Sequence, residues 1–137
     1  MSAATKPGAR ADVAIVLDAG GLIAIDNNDR RVGALLRIAH RERIPVRTSA
    51  AVVAQAWRDG ARQADLARTL AGMNIVPIDP ASGRRIGELL ARTGSADVVD
   101  GHVALLTDPG DIVITSDRPD IERLLESRSV TAVFTDV

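Results

Sequence analysis

The run Val13-Ala-Ile-Val-Leu17, closed by Asp18 and followed by Ala19, Gly20 and Gly21, constrains the fold of this chain more than any other stretch. Five consecutive apolar residues rich in β-branched side chains suit a strand buried on both faces, as in a parallel sheet with helices on either side. The carboxylate that ends the run then stands where open α/β sheets bind their ligands, outside the carboxyl ends of the strands. Two later stretches offer acids in similar positions. Ala96-Asp97-Val-Val-Asp100 opens a helical pattern, and Ile112-Val-Ile-Thr115-Ser116-Asp117 reads as a strand followed by an acid.

Helical and extended patterns alternate along the rest. After Asp18, Leu22, Ile23 and Ile25 predict a short helix broken near Asp26-Asn27-Asn28. A longer helix follows over 29–43, with Val32, Leu35, Leu36 and Ala39 on one face. Residues 44–48 form a brief strand, and Ser49 caps a helix over 50–59 that Gly60 closes. Leu66 and Leu70 pair on a helix over 61–72, 74–78 is extended, and Asp79-Pro80 opens a helix over 81–92 that buries Ile86, Leu89 and Leu90. Helices over 96–107 and 119–127 flank the strand 112–115, and 131–135 is the last strand. This order predicts an α/β fold: a three-layer α/β/α sandwich around a central, mainly parallel sheet of four to five strands. Residues 1–12 read as a loose polar leader and 13–137 as one domain.

Composition excludes several chemistries. Phe and Trp occur once each and Tyr is absent, so the core is aliphatic. Cysteine is absent, which removes disulfides, thiolate catalysis and cysteine-type zinc sites. Lys6, in the leader, is the only lysine, so the folded part has none for a phosphate loop or a Schiff base. The net charge of −1 makes no general case for a polyanion partner. No stretch has the pattern of a signal peptide or the length of a membrane span, and a cytoplasmic protein is expected.

The chemistry therefore rests on Asp18, Asp97, Asp100 and Asp117. If their strands are neighbours, all four carboxylates meet at one edge of the sheet. Two carboxylates about 4 Å apart repel by roughly 4 kcal/mol at an effective dielectric near 20. Bound Mg2+ or Mn2+ is the natural compensation, since hard cations take oxygen ligands and can activate water against a phosphodiester. Each acid also has a structural reading. Asp18 can begin a helix, Asp97 can favour a helix amino terminus, and Asp117 with Ser116 can cap the helix near Pro119. Asp100 is placed further into its helix, where capping does not apply. Asp12, Asp29, Asp65, Asp111, Asp120 and Glu122 read as solvated or turn residues.

In this order, Val-Leu-Asp18-Ala-Gly-Gly-Leu-Ile, Val-Val-Ala-Gln55-Ala-Trp-Arg58, Ala96-Asp97-Val-Val-Asp100-Gly-His-Val-Ala-Leu and Ile-Val-Ile-Thr115-Ser116-Asp117 resemble the PIN domain, and within it the VapC-type toxins of toxin–antitoxin pairs. The resemblance implies a metal-dependent endoribonuclease using Mg2+ or Mn2+. Asp18, Asp100 and Asp117 would be the catalytic and metal-site acids, and Asp97 an additional metal-site acid. Thr115 and Ser116 would support the site. It also implies an RNA substrate, a small antitoxin partner and a homodimer, for which Leu35–Ile38 or Leu66–Leu70 are possible surfaces. Gln55 stands where the family usually has glutamate, so it is a supporting residue without charge.

Arg58, Arg62 and Arg68 are candidate RNA-phosphate contacts, Arg58 first among them because it lies one helical turn beyond Gln55. Trp57 reads as packing or a subunit contact, and His102, two residues from Asp100, as non-catalytic. The alternative is a PIN-like domain that has lost metal through Gln55 and binds RNA or a protein. A haloacid-dehalogenase-like phosphatase would need a second aspartate where Gly20 stands, and a phospho-receiver domain would need a late lysine.

Overall fold

The computed structural model describes residues 13–137; the leader expected over 1–12 lies outside the described residues. Five strands, β1 (Ile15–Leu17), β2 (Val46–Ser49), β3 (Asn74–Val76), β4 (Ile112–Thr115) and β5 (Val133–Asp136), form one sheet in the order β3-β2-β1-β4-β5. All four pairings are parallel, so the sheet is parallel throughout, with five strands. Every residue of β1 is buried, as a central strand covered on both faces must be. Burying side chains such as Ile15, Val16 and Leu17 contributes about 1.5–3 kcal/mol each.

The helices are α1 (Ala19–Asp26), α2 (Arg30–Glu42), α3 (Ala50–Ala56), α4 (Ala64–Ala71), α5 (Pro80–Thr93), α6 (Val98–Leu106) and α7 (Arg118–Ser127). They form two groups. Helices α2, α3 and α4 pack around α1, which lies on β1 and β4, whereas α5, α6 and α7 pack on one another with α6 against β1 and β2. The apolar positions expected to face inward do so at Val32, Ala39, Leu66, Leu70, Ile86, Leu89, Leu90 and Val103.

Most helix starts follow local capping. Asp18, Asp29, Ser49, Asp79 and Asp97 each accept a backbone N–H of the helix they open. Boundaries differ where distant groups intervene. Helix α3 stops at Ala56, three residues before the expected end, and α4 starts only at Ala64. Buried Gln63 causes both changes. Its Oε1 accepts from the N–H groups of Arg58 and Asp59, and its Nε2 donates to Ala56 O and Asp26 Oδ2. The amide thus holds a loop over 57–63 against the end of α1.

Asp111 also departs from expectation: it is fully buried rather than solvated. Its Oδ1 accepts from Ala14 N–H at 2.9 Å, its Oδ2 accepts from Asp108 N–H at 2.8 Å, and Arg47 lies 3.7 Å away. It therefore ties the amino ends of β1 and β4 together. Asp111→Ala leaves two N–H groups without acceptors beside a cation and is expected to lower unfolding free energy by about 3 kcal/mol in urea titration. A change below about 0.5 kcal/mol, the level of an ordinary surface substitution, would contradict this role.

Candidate metal centre

Strands β1 and β4 lie side by side with Leu17 opposite Ile114, so Asp18 and Thr115 meet at their carboxyl ends. The chain order reverses at this point, where doubly wound sheets open a crevice. Asp18 Oδ1 accepts from Gly21 N–H at 3.0 Å, and its Oδ2 accepts from the Thr115 hydroxyl. That hydroxyl accepts in turn from Asp117 N–H at 2.8 Å, so one threonine fixes the turns after both strands. Gly20 permits the approach, because a Cβ there would overlap the Ser116 side chain. Burial pushes the Asp18 carboxyl above its ordinary range. The Thr115 hydroxyl and the N–H groups of Gly21, Ser116 and Gly20 oppose this by favouring the anion.

Helix α6 brings a second acid to the same edge. Asp97 caps it, Oδ1 accepting from Asp100 N–H at 2.9 Å. Asp100 therefore stands in the first helical turn, not deeper as expected. It is only 8% exposed. Among the described residues no N–H or O–H donates to its carboxylate, and the group within hydrogen-bonding range is the carboxyl of Asp117. Burial above all pushes Asp100 up to about 8; the Asp117 contact and the charges of Asp97, Asp117 and Asp18 add to this.

Asp117 precedes α7 in the capping position, but its side chain caps nothing. The aspartates that open α1, α2, α5 and α6 all accept a helical N–H. Asp117 instead has one oxygen within 4.8 Å of an oxygen of Asp100 and of Asp120, which are likewise that close to each other. Oxygens held 2.0–2.6 Å from one cation lie about 3–5 Å apart, so the separations suit a divalent ion. The Asp100 carboxylate, which receives no protein N–H among the described residues and faces other acids, suits one as well.

The structure brings together Asp18, Thr115, Asp100 and Asp117, with Asp97 exposed at the rim and its Oδ1 occupied by the helix cap. Ser116 is exposed beside Gly20. Gln55 is exposed on α3 and brings no charge. Asp120, read from sequence as solvated, belongs to the cluster. The signal for it was its i, i+3 spacing from Asp117, the same spacing that singles out Asp97 and Asp100.

Arg58 and Arg62 lie on the loop that Gln63 ties to Asp26, at the end of α1 remote from Asp18, about 12 Å along the helix. Arg58 folds back onto the carbonyls of Ala54 and Trp57, Arg62 faces Asp59 and Arg68 pairs with Asp65. Trp57 packs partly buried against the core. His102 is buried, with Nδ1 2.6 Å from Ser49 Oγ. Burial lowers its pKa, opposed by the charge of Asp79.

No family model matches the sequence, and no curated protein matches it. Solved structures do. The chain aligns with a chain of VapBC2 from Rickettsia felis bound to a DNA fragment from their promoter, at a TM-score of 0.64 and 14% identity, over 90% of this chain and 100% of that one. It aligns with a chain of DNA-bound VapBC from Salmonella typhimurium at 0.60 and 16% identity, over 89% and 98%. The fold is PIN-like. This bears out the sequence resemblance at the level of architecture, which is what matches at such identities carry. Among the described residues, no helix of this PIN-like chain is long and apolar enough to cross a membrane.

Proposed function

We propose that the chain is a divalent-metal-dependent endoribonuclease and the toxin of a toxin–antitoxin pair acting in the cytoplasm. The observation that carries this reading is the donor-free Asp100 carboxylate facing Asp117 beside Asp18, at the switch point of a PIN-like sheet. Asp18, Asp100 and Asp117 would hold Mg2+ or Mn2+, with Asp97 adding negative charge from the rim. When bound, the cation supplies acidification of water and stabilisation of charge on the leaving oxygen. Thr115 fixes the orientation of Asp18, a bound cation would take the place of the Asp100 proton, and the exposed Ser116 hydroxyl would be available to a phosphate. Arg58 and Arg62 would meet the RNA backbone away from the scissile bond, positioning it without reading bases.

An antitoxin is supported by likeness to VapBC assemblies and by a groove between α2 and α4, lined by Leu36, Ile44 and Met73 and rimmed by Arg41, Arg43 and Arg68. For a homodimer, Leu66 and Leu70 are unavailable because both lie in the core; Ile38, 42% exposed on α2, is available.

The test is incubation of antitoxin-free protein with a pool of structured RNAs in Mg2+, Mn2+ or EDTA, alongside Asp18→Asn. Cleavage is expected only from the wild type and only with metal. RNA binding without cleavage by folded wild type in any metal would favour a non-catalytic binding domain, the reading that neutral Gln55 suggests.

A further inference from the structure

We propose that Asp120 is a cation ligand of this site and that the start of α7, through Asp117 and Asp120 together, supplies the charge that Gln55 does not. This inference rests on the metal-site reading and deepens it. Asp117 and Asp120 occupy the capping position and the third residue of α7, one turn apart, and both reach Asp100 across the gap between α6 and α7. Three features set this cluster apart from a chance group of surface acids. Asp100 is more than nine-tenths buried, accepts from no donor among the described residues and is turned towards the other two. Asp117 leaves its own helix uncapped, unlike the aspartates before α1, α2, α5 and α6, and so keeps its oxygens for the cluster. Asp120 is held in place by Arg123 at 2.7 Å, which restrains one carboxylate oxygen while the group stays half exposed towards solvent.

The charge balance favours the same assignment. Asp18, Asp100 and Asp117 carry three potential negative charges, but Asp18 is already met by Gly21 N–H and the Thr115 hydroxyl. A hard cation bound mainly by Asp100 and Asp117 gains a further carboxylate from Asp120, whereas an amide at position 55 offers only a neutral oxygen. A purely structural Asp120 would act through the helix dipole and its pair with Arg123, and neither depends on a metal.

Mn2+ binding to the full chain, measured by calorimetry and by electron paramagnetic resonance of free Mn2+, tests this directly. Asp120→Asn is expected to weaken binding roughly tenfold, at the lower bound for losing a group that acts on a metal site. Glu122→Gln, which removes the same charge from a half-exposed position on α7 that faces Arg118 and lies outside the cluster, is expected to leave the affinity within about twofold, within the range of surface effects. Asp100→Asn reports on the site itself. Wild-type binding lost in Asp100→Asn but unchanged in Asp120→Asn would overturn the role of Asp120 and leave the site reading standing. No Mn2+ binding by folded wild type would overturn both.

Discussion

Asparagine at position 100 is expected to remove metal-dependent cleavage while raising the thermal midpoint of the metal-free protein. Groups that merely orient a ligand typically change metal affinity or activity 10–100-fold, so loss of a carboxylate facing the cation should lower cleavage by about a hundredfold or more. Stability moves the other way because Asp100 is buried among acids with no donor to meet it. An isosteric amide carries no charge to desolvate, escapes repulsion from Asp117, Asp97 and Asp18, and can donate an N–H to the Asp117 carboxylate. The gain should be about 1 kcal/mol at pH 8.5 in EDTA, or about 4 °C for a chain of this size. Saturating Mn2+ should reverse the order, since only the wild type gains binding energy from it. A variant less stable than wild type in EDTA would make Asp100 a structural residue, and a variant that still cleaves would place the cation elsewhere.

That pairing of strain with proposed chemistry was only partly legible in the sequence. The β1 run, the acid after it and the alternation of elements are local patterns, and the five-strand parallel sheet follows from them. Caps at Ser49 and Asp79 are equally local, which is why they read correctly, whereas Asp29, read as a solvated or turn residue, caps α2. The misplaced features depend on residues far away in the chain. Asp108-Pro-Gly-Asp111 looks like a solvated turn until Ala14, 97 residues earlier, donates to Asp111. Helix α3 looks longer until Gln63 takes the N–H groups that would have continued beyond it. Asp120 looks like one more exposed acid on an amphipathic helix. Only the packing of α6 against α7 brings it to Asp100. For Asp117 the sequence left capping and metal binding both open, for the same reason. Its sequence context, Ser-Asp before Arg-Pro, is that of an ordinary helix start, and the choice between capping and clustering is made in three dimensions.

Thermal stability of the metal-free wild type is expected to fall as pH rises from 6.5 to 8.5, and Mn2+ should abolish the fall. Asp100 has a folded-state pKa of about 8 against an ordinary 3.8, so the folded state keeps a proton that the unfolded chain has released. Its contribution is full below the unfolded value and is lost as pH rises through the folded one. Asp18, also raised by burial, acts in the same direction. His102 acts oppositely: its folded pKa is lowered, so its contribution grows with pH and is nearly complete once pH has passed the ordinary value of 6.5, at the bottom of that range. Asp79, with a lowered pKa, has completed its own contribution above the carboxylate range. The window above pH 6.5 therefore isolates the acid cluster. One proton corresponds to a ceiling of about 1.4 kcal/mol per pH unit, and screening on the open side of the cluster should leave a total loss of about 1 kcal/mol, or about 4 °C. A bound cation takes the place of that proton, so metal affinity should rise across the same window and the midpoint in Mn2+ should stay level or climb. Asp100→Asn should melt at a nearly constant temperature in EDTA over this range. A wild-type midpoint that is flat or rising in EDTA between pH 6.5 and 8.5 would show that Asp100 is already ionised there, with its charge met by a group other than a metal.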